Sequence, residues 1–333
     1  MSKPSTEDWN LSDYNWNDEV RRTMNPPQKF ELHDATMRDG AHVVDFSDKE
    51  RIQLTEALSD LGVYRIEIES RASTIKRQSI IPPEKHWETL KNIANMGLKG
   101  KIFTHRTLSE GRTGIDKALS CDVTNIVLQE PVQRGWLETK GQTIEQRIET
   151  VHDVVGYAKE RGCYLVYFNN HVGLSELGYL LQMVKAGVDG GADSLCITDS
   201  EGNCTPQTFK FLTQKLIEVS KGKLPVEVHP HNDYGLALAN TIASYEAGAS
   251  VTHCCVNSLG SRAGNTTLEE ACIALHVLYN VDLGMNYEKL HDVCRLVEQM
   301  QQWPVAKNKP FNGYGIDDAP HKLEYFGKQP HKK

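Results

Sequence analysis

From residue 28 onward the chain alternates short apolar runs with longer amphipathic ones. The short runs are KFELHDATM, YRIEIES, GKIFTH, NIVLQE, YLVYFN, SLCITD, PVEVHP and VTHCCVN. Between them lie segments of helical spacing that close on glycine. In KERIQLTEALSDLG, for example, Ile52, Leu54, Ala57, Leu58 and Leu61 form one apolar stripe, and Gly62 supplies a left-handed stop. Thr205-Pro206 reads as a helix start, with threonine as the cap and proline at the first helical position. The strand-like runs show no regular polar alternation, the pattern of a parallel sheet covered on both faces. Eight β/α units in about 250 residues predict an α/β fold, a closed (β/α)8 TIM barrel, spanning residues 28–295. A doubly wound sheet is the alternative, and the missing Gly-rich fingerprint after the first strand argues against it. Residues 1–27 are polar, carry Trp9, Tyr14 and Trp16, and end in Pro26-Pro27, which reads as an arm. Residues 296–333, dominated by Pro, Gly and Lys, read as a lid or docking tail.

Composition narrows the function classes. With 39% hydrophobic and 24% charged residues in 333, the chain is an ordinary globular protein. A net charge of −7 argues against nucleic acid or an anionic membrane surface as partner. No run approaches the roughly 18 apolar residues of a membrane span, and the N-terminus has no signal-peptide core. A soluble cytoplasmic protein is expected. The eight cysteines show no C-x-x-C spacing and read as structural.

In a barrel of this kind chemistry sits where strands end and loops begin. Polar residues are concentrated there: Arg38, Asp39 and His42 after the first strand, Glu67 and Glu69 on the second, and His105-Arg106 on the third. Asn169, Asn170 and His171 follow on the fifth, Asp199 on the sixth, HPHND on the seventh, and Asn257 leading into GSRAGN on the eighth. In His229-Pro230-His231 the two imidazoles lie two residues apart, so in a strand both face one way and can reach one cation. With 13 histidines in the chain, chance supplies roughly half an H-x-H pair, so context has to decide. The context is Asp39 at the end of the first strand and Asn265 in the loop after the eighth. Two imidazoles, a carboxylate and an amide oxygen suit one divalent ion, whether Mg²⁺, Mn²⁺, Co²⁺ or Zn²⁺.

Arg38 beside such an ion is placed to stabilise a developing oxyanion or enolate, and His42 is a candidate general base. Glu67 joins them as a candidate catalytic group. Glu69, His105, Arg106, Asp199 and Asn257 are candidates for orienting substrate, although Asp199 equally suits a loop hydrogen-bonding role.

The motifs HDATMRDGAH, VHPHNDYGLALANTIASYEAGA and VNSLGSRAGNTTLEEA, in that order, resemble the DRE-TIM metallolyase superfamily. The resemblance spans roughly residues 28–312. It implies a (β/α)8 barrel, metal ligation by Asp39, His229, His231 and Asn265, and Arg38 as the catalytic arginine. The long HND…LANTIASYEAGA…RAGNTTLEE run is most similar to the synthases that join an acyl-CoA, acetyl-CoA foremost, to a 2-oxo acid, and it implies a homodimer. His42 stands where the synthases carry glutamine and the aldolase branch carries a catalytic histidine. Ser261 replaces the glutamate common in synthases, and the histidine-bearing segment that follows their barrel is not matched; His321 and Tyr325 are candidates to stand in for it. The alternatives are therefore a retro-aldol aldolase or lyase acting on a hydroxy-oxo acid or hydroxyacyl-CoA, and a non-catalytic metal-binding homologue.

Overall fold

The computed structural model describes residues 11–68 and 83–313. Eight parallel strands close into a barrel in sequence order: β1 (Glu31–Asp34), β2 (Arg65–Ile68), β3 (Lys101–Thr107), β4 (Asn125–Pro131), β5 (Tyr164–Asn170), β6 (Ser194–Asp199), β7 (Val226–Pro230) and β8 (Val251–Cys254). Closure comes from β1 pairing with β8, with His33 opposite His253 and Asp34 opposite Cys254. Each of the eight expected runs supplies one strand. A helix follows each: α1 (Asp48–Leu61), α2 (Pro83–Ala94), α3 (Gly111–Ser120), α4 (Ile144–Glu160), α5 (Leu177–Asp189), α6 (Pro206–Ser220), α7 (Ala237–Ala247) and α8 (Leu268–Tyr279). A ninth, α9 (Leu290–Gln301), packs on α1.

Local signals account for these elements. Ser47 caps α1 in a reciprocal box with Glu50, and Gly62 ends it at φ 99°. Any Cβ at Gly62 would stand 2.6 Å from the Gly284 carbonyl oxygen, so glycine is required twice over. Thr205 accepts a hydrogen bond from the Thr208 amide, with Pro206 at the first turn of α6. The first strand is shorter than its apolar run: Thr36–Asp39 turns into a short helix, because Thr36 donates its hydroxyl and amide to the Asp34 carboxylate.

The large apolar core lies between strands and helices, where outward-facing Leu32, Ile66, Ile126, Leu165, Leu195 and Val228 are buried. The barrel interior is divided. On the β3–β6 side it is filled by Phe103, Val127, Val166, Phe168 and Cys196. On the β7–β8–β1–β2 side it is charged. Arg65 donates to Glu227 (2.8 Å), Glu227 accepts from His253 Nε2 (2.8 Å), and the His253 ring stacks on His33 at 4.0 Å. His33 in turn faces Glu67 at 3.3 Å. Buried charges need partners, and here each strand supplies the partner for the next. Contrary to the expectation of no regular polar alternation, this half has it: Arg65 and Glu67, Glu227 and His229, and His253 all point inward.

Outside the barrel, the Asn25 amide donates to the Glu246 carbonyl and Leu11 packs against the apolar core, so both ends of the 11–27 segment are fastened to the barrel. All eight cysteines are free and buried. Among the described residues no helix is long and apolar enough to cross a membrane.

Candidate active site

Three strand ends bring the candidate ligand set together. Asp39 is carried by the short helix after β1, which is tied to β8 through Ala35 N–H to the Cys254 carbonyl and Val256 N–H to Thr36 Oγ1, both 2.8 Å. His229 ends β7, and His231 two residues on forms a β-bridge with Asn265. The Asp39 Oδ2 atom lies 3.4 Å from His229 Nε2 and 3.7 Å from His231 Nε2. One ligand atom from each of the three residues falls within 4.8 Å of the others. The Asn265 amide stands 2.9 Å from His229 Nε2 and 3.4 Å from His231 Nδ1, and rotation of the amide would turn its oxygen to the same point.

The set fits a divalent cation on its own chemistry. Burial pushes both His229 and His231 down to about 4, so at neutral pH their nitrogen lone pairs are free to ligate. Burial alone would raise Asp39, but His231, His229 and Arg38 outweigh it and hold the carboxyl well below its ordinary value. Among the described residues Asp39 Oδ2 has no hydrogen-bond partner although it is buried, an arrangement that a cation would relieve. The Gly-rich loop makes room: a Cβ at Gly260 would lie 1.9 Å from Asn265 Oδ1 and 3.4 Å from Asp39 Oδ2. Close approach is the role of glycine at this position.

Arg38 reaches the cluster from the side, with Nη1 3.6 Å from Asp39. Its orientation is set by a buried chain: Nη2 lies 3.0 Å from His105 Nε2, and His105 Nδ1 lies 3.0 Å from Glu67 Oε1. Glu67 also lies 3.8 Å from Arg38 Nε. Burial would raise the Glu67 carboxyl, yet His105, His33 and Arg38 hold it well below the usual range. Glu67 and His105 thus act from beneath, through Arg38. His42 is about one-third exposed, with Nε2 3.7 Å from Asp39 Oδ1.

Above the cluster opens a cavity of about 720 Å³, lined among others by Arg38, Asp39, His42 and His231, and by Gln129, Phe168 and Asn170 from β4 and β5. Its rim from β5 to β8 is tied together. Arg262 donates to Asp233 and to the Ser200 carbonyl, and the His171 amide donates to Ser200 Oγ at 2.9 Å.

Several expected substrate-orienting residues sit elsewhere. Arg106 alternates with His105 along β3 and so faces the helix layer, over the Trp87 ring at 4.8 Å and against Glu110. Asp199 accepts the Asn203 and Cys204 amides at 3.0 and 2.9 Å, the loop role. Asn257 donates to the Cys294 carbonyl and accepts from Asn312 at 2.6 Å, fastening the segment after α9 to the barrel. Glu69, His321 and Tyr325 lie outside the described residues. Gln129, Phe168, Arg262 and the His171–Glu201 pair line the cavity without having been singled out for that role. For Phe168, strand alternation from Asn170 was the available signal.

The HMGL-like family model matches residues 29–297. The chain is 34% identical over 287 residues to homocitrate synthase AksA of Methanocaldococcus jannaschii, covering 85% of this chain and 68% of that one. It is 35% identical over 295 residues to the probable 2-isopropylmalate synthase of Ignicoccus hospitalis, covering 88% and 71%. Among solved structures, hydroxymethylglutaryl-CoA lyase from Pseudomonas aeruginosa superposes with a TM-score of 0.72 over 89% of this chain and 100% of that one. At 19% identity that likeness speaks for the fold alone. With a family match over the whole barrel and synthase relatives above 30% identity, the chain belongs to the HMGL-like family of the DRE-TIM metallolyase superfamily.

Proposed function

We propose that this protein is a divalent-metal-dependent synthase that joins an acyl-CoA, acetyl-CoA foremost, to a 2-oxo acid. The observation that carries the reading is the convergence of Asp39, His229 and His231 beneath an open cavity whose wall presents Arg38. The relatives named homocitrate and isopropylmalate synthase support this chemistry over others on the same fold.

A divalent ion held by Asp39, His229, His231 and Asn265 would act as a Lewis acid and template for the oxo acid. The chain's own residues do the rest. Arg38, held by the Glu67–His105 chain, presents a guanidinium to the oxygen on which negative charge develops. His42, beside Asp39 on the cavity wall, serves as an acid–base group. Phe168 and the buried β3–β6 interior close the floor against water. Residues 28–295 form the catalytic unit, with the terminal segments as arms of a cytoplasmic homodimer; a monomer by light scattering would remove the dimer.

The test is thiol release from acetyl-CoA by protein loaded in turn with Mg²⁺, Mn²⁺, Co²⁺ and Zn²⁺. Pyruvate, glyoxylate, oxaloacetate, 2-oxoisovalerate and 2-oxoglutarate are offered, with Asp39→Ala as the blank. Release that requires one oxo acid is expected. Silence across the panel with metal bound would overturn the synthase. His42 in the RDGAH motif would then favour the second reading, retro-aldol cleavage, tested by oxo-acid release from hydroxy-oxo acids.

A further inference from the structure

Across the cavity from the metal cluster, on the β5–β6 side of the rim, stands a second ionisable pair. His171 Nδ1 lies 2.5 Å from Glu201 Oε1. Both residues line the cavity, and both side chains are about one-third exposed or less, at 31% and 27%. With Nδ1 engaged by the carboxylate, Nε2 is the nitrogen left without a hydrogen-bond partner among the described residues. A carboxylate on Nδ1 fixes the ring's tautomer and supports the imidazolium when Nε2 takes a proton.

Exposed pairs of this kind are usually worth little, but this one is built into the rim. His171 holds a left-handed backbone (φ 63°, ψ 33°) that is uncommon for a residue with a side chain. Its amide is fixed by Ser200 Oγ, and Arg262 fixes the Ser200 carbonyl. Neighbouring glycines press the loops together. A Cβ at Gly173 would lie 2.2 Å from Asn203 Oδ1, and one at Gly202 would lie 2.8 Å from the Asp233 amide nitrogen. The ring is therefore held in place from the β5, β6, β7 and β8 loops together.

The metal ligands come from β1, β7 and the loop after β8, so an oxo acid held there leaves the β4–β6 side for the second substrate. The geometry points to His171 as the general base for the acyl thioester, with Glu201 as its positioning residue. This inference rests on the condensing reaction proposed above. Nε2 takes a proton from the acyl methyl group, and the C–H electron pair becomes the enolate π bond, with the charge on the thioester oxygen. The enolate carbon forms the new C–C bond with the oxo carbon, whose π pair moves onto its own oxygen. That alkoxide takes a proton from solvent, the imidazolium releases its own to solvent, and water then cleaves the thioester C–S bond to give carboxylate, thiol and one proton. His42 serves the other side of the cavity, beside Asp39.

The test uses the full chain loaded with the metal and oxo acid that support wild-type turnover. Glycine and asparagine both tolerate the left-handed backbone, so His171→Gly and His171→Asn keep the fold. Both variants are expected to lower kcat by about 10²–10⁴-fold, with metal affinity unchanged by calorimetry. Added imidazole restores turnover in His171→Gly and not in Asp39→Ala. Turnover within about twofold of wild type in both variants, well short of what losing a general base does, overturns the assignment. Independently of turnover, ¹⁵N-histidine NMR reads the ring. A proton held on Nδ1 in the wild type, and a change of tautomer in Glu201→Gln, support the pair; a ring indifferent to Glu201→Gln overturns it. If the wild type releases no thiol with any oxo acid, the condensing reading fails on that result, and the NMR result alone decides the pair.

Discussion

Replacing Glu67 by glutamine tests the claim that a buried chain aims Arg38. Glu67 is 1% exposed and does not line the cavity; its contacts are His105 at 3.0 Å, His33 at 3.3 Å and Arg38 at 3.8 Å. Glutamine keeps the shape and can still accept the His105 Nδ1–H bond, so what is lost is the charge. A hydrogen bond to an ionised partner is worth about 1–2 kcal/mol more than a neutral one. Tenfold in rate corresponds to about 1.4 kcal/mol, so Glu67→Gln should lower kcat by roughly 5–30-fold. Glu67→Ala also removes the hydrogen bond and leaves a buried guanidinium short of one counter-charge, a loss on the order of 3–5 kcal/mol when fully expressed. The assay is thiol release for kcat alongside calorimetric titration of the metal. Asp39, His229 and His231 do not touch Glu67, so metal affinity should move by less than about threefold, below the 10–100-fold of a ligand-supporting residue. A metal affinity that falls in step with kcat, or a kcat unchanged in Glu67→Ala, would refute the chain.

Other outcomes follow from the same geometry. Gly260→Ala places a methyl 1.9 Å from Asn265 Oδ1 and forces that amide to move, so metal titration should show affinity weakened by at least about tenfold, the loss seen when a ligand's support is disturbed. Glu227→Ala strips the partner from Arg65, which is 3% exposed, and from His253. Urea unfolding should show a loss of about 3–5 kcal/mol, much of it recovered when Arg65 is also replaced by leucine. Burial lifts Asp34 to about 7, against an ordinary value of 3.8. The native state therefore holds a proton that the unfolded chain has released, and this group's contribution to stability falls as pH rises between those values. The stability of wild type relative to Asp34→Asn should thus be greatest near pH 4 and shrink toward pH 7. A difference that grows with pH would contradict the assignment.

Much of this molecule was legible along the chain. Eight apolar runs, each followed by a helical stripe with its own cap, specified the barrel, because periodicity and capping are local properties. Ser47, Gly62, Thr205 and Pro206 do in three dimensions what their spacing foretold. The convergence of Asp39, His229 and His231 was legible for a related reason. The spacing of His229 and His231 fixes their common direction, and strand order brings β7, β8 and β1 side by side, so Asp39 had to arrive nearby.

What the sequence could not settle was which polar residues face inward and which are used up in holding the fold. His105 and Arg106 are neighbours in the chain, yet the strand sends one to Arg38 and the other to the helix layer. Asn257 is spent on Asn312 and Cys294, and Asp199 on its own loop. The charged half of the interior, Arg65–Glu227–His253–His33–Glu67, draws on four strands far apart in sequence. Each of these residues alone looks like an isolated polar residue in an apolar run. A buried charge is tolerable only with a partner, and partners are assigned by barrel closure, which tertiary structure alone decides.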